Sequence, residues 1–309
     1  MDFSFTPEQQ ELKKQARAWL TERYPLDRDW DLQDDAWAEL AELGWLGVSI
    51  AEDEGGAGLG FLEEAILFEE LAYALYPGPY LGTIGLALPW LGADERRAVA
   101  AGEARWSAEV RGFVPWLGSV DRVVVDGSAY EARGEELPTV DPSRPLGRLE
   151  HGDGTPLPGS RDVARARAAI ACEAVGVAQR ALELGIEHAR TREQFGKPIG
   201  VYQAVSHALS DTYADVELAR SLAYWAAWCV AEGDEQAAVA AAAAKAFATE
   251  AAVTACERSI QVHGGTGFTW EHPLHRFYKR ALWLEGFGAR PAQLRAEVAD
   301  AVLGTAVTA

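Results

Sequence analysis

The sequence predicts a mostly α-helical protein in three parts: an N-terminal helical domain over residues 1–102, a short β-rich middle segment over 103–160, and a C-terminal antiparallel helical bundle over 161–309. Three observations carry this prediction. Apolar residues recur at helical spacing up to about Gly92, β-branched runs broken by Gly, Ser and Asp fill the middle, and three long helical stretches with short glycine-marked breaks follow.

The first helix is read from "TPEQQELKKQARAWLTERY", where a Thr cap and acids precede Leu12, Ala16 and Leu20 on one stripe. "DDAWAELAELGWLGVSI" is a second helix ending at its Gly-Trp-Leu-Gly break, and "EDEGGAGLG" is a glycine loop. "FLEEAILFEELAYALYP" is an apolar helix stopped by Pro77. In the middle, "VVVDG" marks a turn between strands. "SRDVARARAAIACEAVGVAQRALELGIEHARTR" then places Val163, Ile170, Val177 and Leu184 seven residues apart, the mark of a long helix packed along one seam. A helix from about Val201 to Ala231 and the Ala-rich "DEQAAVAAAAAKAFATEAAVTACERSIQV" complete the bundle. The last has so many small apolar positions that some are expected to meet another subunit, giving a dimer or tetramer.

Composition limits the function. With 47 acids against 28 bases in 309 residues, the formal charge of −19 repels phosphate backbones and anionic lipids, so no nucleic-acid or membrane-surface partner is expected. The N-terminal residues lack a basic region followed by an apolar run, and no later run reaches the roughly 18 uninterrupted apolar residues of a membrane span. A cytoplasmic location without membrane insertion is therefore expected. Cys172, Cys229 and Cys256 are odd in number and widely spaced inside helices, which suits buried reduced thiols rather than a disulfide or metal site.

Against this acidic background, "HARTREQFGKPIG" gathers Arg190, Arg192 and Lys197 where one bundle helix gives way to the next. Bases there suit a helix C-terminus. "QVHGGTGF" ends the third long helix with a glycine pair; absent side chains let a ligand approach the backbone, and freed amides can serve phosphate oxygens, although either glycine alone reads equally as a C-cap.

Together, "RTREQFGKPIGVYQAVSHALSDTYADVELARSLAYWAAW" and "ERSIQVHGGTGFTWEHPLHRFYKRALWLEG" resemble the C-terminal domain of the flavin-dependent acyl-CoA dehydrogenases, and "AELAELGWLGVSIAEDEGGAGLGFLEEAILFEELAYAL" is similar to that family's first helical domain. The resemblance implies an acyl-CoA dehydrogenase-like fold, FAD as cofactor, and α,β-desaturation of an acyl-CoA in which a carboxylate removes the α-proton while hydride leaves to flavin N5. It further implies that Arg192 binds the FAD pyrophosphate, that Phe195 and Gln203 contact the cofactor, and that Gln261, His263, Gly264 and Gly265 line its adenosine-diphosphate part. The family places this clamp across a subunit interface.

The chain departs from the family pattern in two ways. Most members carry the base in a "YEGT"-like segment, where Gly288 stands here; a minority carry it on the first long helix of the C-terminal domain, one residue before an Arg, where Ala166 precedes Arg167. Glu285 is the candidate base if the alignment shifts by three residues, and otherwise reads as a partly exposed helix-end carboxylate. Glu271 matches an acidic position of structural kind. Arg167 keeps a substrate-side or base-orienting resemblance, or is a surface arginine. His263 and His272 read also as satisfied core or interface histidines. The middle segment holds no "TEPGAGS"-like run and is too short for the full β-domain.

The resemblance leaves three expectations open. The chain completes the FAD site of a homologous catalytic subunit, as in shortened, unequal actinobacterial-type pairs, some acting on CoA esters of sterol side chains. Alternatively it is a self-sufficient FAD acyl-CoA dehydrogenase, partnered with itself and using an unusual base such as Glu285; or it is a scaffold of the same fold without a cofactor. Metal ligands are not expected.

Overall fold

The computed structural model describes residues 5–30 and 35–304. Helix α1 (Pro7–Arg23) begins with a capping box: the Thr6 hydroxyl accepts from the Gln9 amide and the Gln9 side chain returns to the Thr6 amide, satisfying two donors a helix start leaves open. It buries Ala16 and Leu20. Helix α2 (Trp37–Glu42) stops before Gly44, whose φ of +74° suits a residue without Cβ; Asp34, the first residue of the stretch predicted as this helix, lies outside the described residues.

Helix α3 (Phe61–Tyr73) ends earlier than Pro77 requires. Leu75 turns left-handed at φ +52°, and the Arg28 guanidinium donates to the carbonyls of Ala74 (3.2 Å) and Leu75 (3.1 Å), terminating the helix from a distant segment. Helix α3 is buried on all sides, so its acids need partners: Glu64 meets Arg165, Glu69 meets Lys13 and Arg220, and Glu70 meets Arg17. A π-helical turn (Leu81–Ala87) and helix α4 (Ala93–Ala100), neither anticipated, complete this part.

The middle folds as β1 (Trp106–Ala108), β2 (Val114–Pro115), β3 (Arg122–Val125), β4 (Ser128–Glu131), β5 (Gly134–Leu137), β6 (Leu146–Leu149) and β7 (Thr155–Pro156). They make two small sheets, ordered β1-β3-β4-β7 and β2-β6-β5. The "VVVDG" turn is a two-residue hairpin, with Asp126 and Gly127 both at positive φ and Val125 opposite Ser128.

Helices α5 (Val163–Thr191), α6 (Gln203–Ala231) and α7 (Ala237–His263) form the bundle. Their contacts give the directions. The Arg220 guanidinium of α6 donates to the Gln179 side chain of α5 at 2.7 Å while Gly185 lies against Leu209, so α5 and α6 are antiparallel. Gly185 also faces Ser259 while Arg167 and Lys245 share a cavity, so α5 and α7 run parallel. Ile170, Val177 and Leu184 are buried as their spacing demands; Val163, in the first turn, is exposed. Helices α8 (Leu274–Gly286) and α9 (Pro291–Leu303) pack on α7.

Of the alanines of α7, Ala240, Ala241, Ala244, Ala248, Ala252 and Ala255 are fully buried, against α5, α6, α8 and α9 of the same chain, while Ala238 is exposed and Ala237 and Ala243 are half-buried. By length and composition α7 is apolar enough to cross a membrane, but most of it is buried in the bundle. One core runs from Ala16 on α1 through Trp106 on β1 to Phe287 beyond α8.

Candidate functional site

Two places draw together the residues singled out from the sequence. The first is one end of the bundle. Helix α5 ends at Thr191, and Arg192 follows with its amide on the His188 carbonyl at 2.8 Å. Strands β8 (Glu193–Gln194) and β9 (Lys197–Pro198) then form a hairpin whose turn residues, Phe195 (φ +55°) and Gly196 (φ +76°), are both left-handed. That conformation costs a phenylalanine about 1–2 kcal/mol, and its side chain is 91% exposed, meeting Tyr202 edge-on with ring centroids 6.3 Å apart. Gln203 opens α6.

Helix α7 delivers the other half. It stops at Gly264 (φ +63°), and a Cβ at Gly264 or Gly265 would meet nothing within 4 Å, leaving that stretch of backbone open to a ligand. The Gly264 amide, however, is spent on the carbonyls of Ile260 and Gln261; it acts as a helix cap and is not free for a phosphate. The structure thus brings Arg192, Phe195, Gln203, Gln261, Gly264 and Gly265 to one exposed end, with Phe268 and Trp270 also largely in solvent beside them. His263 differs from these residues: it is buried, donates from Nδ1 to the Ser259 carbonyl at 2.8 Å and stacks on His188 with ring centroids 4.3 Å apart, so any part it plays in binding is indirect. Among the described residues Arg192 makes no ion pair, and its fork is available to a planar anion.

The second place is a cavity of about 270 Å³ between the middle segment and the bundle. Ala166 and Gly288, from helix α5 and the turn after α8, both line it. Its walls are apolar at Leu86, Trp90, Val110, Val124, Ile170 and Phe287. Arg167 lines it too, but its guanidinium grips Glu297 of α9 at 2.6 and 3.1 Å, which makes it a tie between helices. Lys245, almost wholly buried, donates to the carbonyls of Phe287 (2.8 Å) and Ala289 (2.6 Å), clamping the segment that carries Gly288; burial pushes its amine down to about 7.

Glu285 does not line this cavity. It sits in an outer cleft with Glu250, Arg290 and Arg295, where burial and then Glu250 raise its pKa. Glu285 is still in α8, whereas the chain leaves the helix after Gly286 through the extended Phe287 and turns left-handed at Gly288 (φ +72°), so the two positions do not share a helix face. Three acids do line the cavity. Asp162 is occupied capping α5, and Asp126 pairs with Arg161 near the surface; Glu109, just past β1, is the one that sequence reasoning missed. Its only signal was position beside the β1 strand, and no motif marks it. Glu271 is exposed.

Comparison with known proteins bears on both places. Residues 6–94 match the model of the acyl-CoA dehydrogenase N-terminal domain and residues 152–302 that of the C-terminal domain. The acyl-CoA dehydrogenase IpdE2 of Mycobacterium tuberculosis is 35% identical over 270 residues, covering 82% of this chain and 82% of its own length. Among solved structures, a variant of the Tcur3481–Tcur3483 steroid ACAD superposes with a TM-score of 0.86 at 27% identity, covering 97% of this chain and 99% of that one. The ChsE4–ChsE5 complex from Mycobacterium tuberculosis gives a TM-score of 0.88 at 24% identity, over 99% of this chain and 100% of that one.

Proposed function

Since this chain belongs to the acyl-CoA dehydrogenase family, we propose that it serves FAD-dependent α,β-desaturation of an acyl-CoA thioester as the subunit that completes the flavin site of a homologous, base-bearing partner. One observation carries this reading. Ala166 and Gly288, where the resemblance expects the family's carboxylate, meet in a single cavity and neither can take a proton, whereas the residues expected at the cofactor stand together on an exposed end of the bundle.

FAD bound there supplies the hydride acceptor. This chain's contribution is to binding: Arg192 would offer a bidentate partner to a pyrophosphate, Gly264 and Gly265 leave room for its approach, and Phe195 and Gln203 would be further contacts. Solved neighbours support the pairing, since one is a complex of two named proteins and another carries two names and is a steroid ACAD; a CoA ester of a bulky, steroid-like acyl group is accordingly the substrate class we assign. Three buried free thiols suit a reducing compartment, and we place the protein in the cytoplasm.

A second reading has its own observation. Glu109 lines the cavity, so a self-sufficient enzyme would draw its base from there rather than from Glu285. A base displaced by even about one ångström loses roughly a hundred-fold in rate. Purification alone and with a co-expressed homologous subunit separates the readings. Flavin retained only with the partner, and bleached by acyl-CoA in that complex whether or not Glu109→Gln and Glu285→Gln are present, is the expected result. Bleaching by the isolated chain that Glu109→Gln abolishes would establish the second reading, and colourless protein in both preparations would leave only the scaffold.

A further inference from the structure

Beneath the exposed end of the bundle lies a cluster of imidazoles. His188, in the last turn of α5, stacks on His263 at the end of α7 with centroids 4.3 Å apart and planes at 26°. His263 in turn meets His272, in the loop before α8, at 4.5 Å. His275, in the first turn of α8, packs on Trp270 at 4.6 Å, and its Nε2 is buried.

The hydrogen bonds define protonation states. His263 donates from Nδ1 to the Ser259 carbonyl, so that nitrogen carries hydrogen. His272 does the reverse: its Nδ1 accepts from the backbone amide of Leu274, the first residue of α8, at 3.3 Å. An imidazolium has donors on both nitrogens and no acceptor. Protonated His272 therefore loses this cap, and places a positive charge at a helix N-terminus, where the dipole is also positive.

We propose that His272, backed by His263 and His188, is a proton-sensitive cap: protonation uncaps α8 and loosens the 264–273 segment, and with it the end of the bundle assigned above to flavin and partner.

The surroundings favour this direction. Burial, then His263 and Arg192, lowers the pKa of His188; burial, then His263, His188 and His275, lowers that of His272; burial, then Lys279 and Arg276, lowers that of His275. The charged side chains that lower these histidines are Arg192, just past α5, and Arg276 and Lys279 on α8, and Glu271, next to His272 in the chain, is exposed. A histidine whose folded pKa lies below its unfolded value of about 6.5 binds fewer protons when folded. Its contribution to stability is complete above about 6.5 and is lost as pH falls through that value.

The link to flavin rests on the reading given under the proposed function; the cap itself does not. Amide hydrogen exchange of the full chain without added ligand, corrected for intrinsic rates, tests it between pH 7.5 and 5.5. Exchange in 264–280 is expected to rise by up to about tenfold per pH unit below 6.5, relative to the α6 amides. His272→Asn keeps an acceptor oxygen that does not titrate and should flatten the response, and His188→Phe, which keeps a ring in the stack, should weaken it. A flat wild-type profile, or an undiminished slope in His272→Asn, would overturn the proposal. Should either variant fold poorly, imidazole NMR titration of the wild type decides: His272 titrating below the ordinary histidine value of about 6.5 supports the cap, and at or above that value refutes it. Loss of flavin or partner at acid pH with exchange unchanged would refute the cap and leave the proposed function standing.

Discussion

Phe195 holds a left-handed backbone in solvent, and Arg192, three residues before it, makes no ion pair among the described residues of a chain rich in acids. The backbone of Phe195 costs the isolated molecule, and both features make sense as parts of a surface that something else covers. Asn-Gly is the preferred pair for such a turn, so Phe195→Asn should raise the stability of the isolated chain by about 1 kcal/mol, read from its urea midpoint, while weakening assembly with the partner. Equal assembly in the two proteins would remove Phe195 from the interface. Arg192→Ala should weaken flavin retention in the complex by about ten- to a hundred-fold, the loss of one charge-assisted contact, and Arg190→Ala much less. Spectroscopic flavin content in the purified complexes decides, and equal content would sink the assignment.

At the scale of elements, Lys245 shows how one helix can hold another segment's path. Its amine caps two carbonyls beyond α8 and lines the cavity, and its folded pKa falls from the ordinary 10.5 to about 7 because burial disfavours the charge, with Arg167 and Arg111 adding to the effect. The sign follows from proton counting. Between about pH 7 and 10.5 the unfolded chain binds a proton that the folded one does not, so this residue makes the protein more stable as pH rises through that window. Lys245→Met should cost about 1–3 kcal/mol at pH 7 by leaving buried carbonyls unpaired, and the gap from wild type should widen by pH 9. Denaturant titrations of both proteins at the two pH values check it; a gap that does not widen would mean the amine stays charged in the folded chain. Helices α3 and α5 show the same dependence in packing: a Cβ at Gly176 would lie 2.0 Å from the Glu69 carbonyl oxygen, so those backbones touch only because the position is glycine.

For the whole molecule, one core joins the N-terminal helices, strand β1 and the bundle, and the remaining large apolar side chains in solvent include Phe195, Val201, Phe268 and Trp270 at the bundle end and Tyr213 and Leu218 on α6. Sedimentation at micromolar concentration should therefore show association, with itself or with a homologous subunit, that Phe268→Ser and Trp270→Ser weaken. A stable monomer in the presence of that subunit would contradict the arrangement.

The sequence by itself determined the helical ends of the molecule, the seam along α5 and the family, because hydrophobic period, caps and glycine breaks are local signals, and because "REQFGKPIG" and "QVHGGTGF" are contiguous in the chain. It also set Ala166 and Gly288 at the two places where the resemblance expects a carboxylate. Only the tertiary structure decided what those gaps face. Cavity walls come from β1, α5, α7 and the turn after α8, so Glu109 could not be placed there, nor Glu285 outside it, before the elements were docked. The end of α3 was hidden because its terminating guanidinium, Arg28, lies more than forty residues away. Most of the alanines on α7 pack on α5, α6, α8 and α9, which the sequence could not specify, since a periodic apolar surface states that something covers it without stating what. His188, His263 and His272 stood in separate motifs, and their stacking follows from α5 and α7 running parallel and ending together, a relation carried by long-range packing alone.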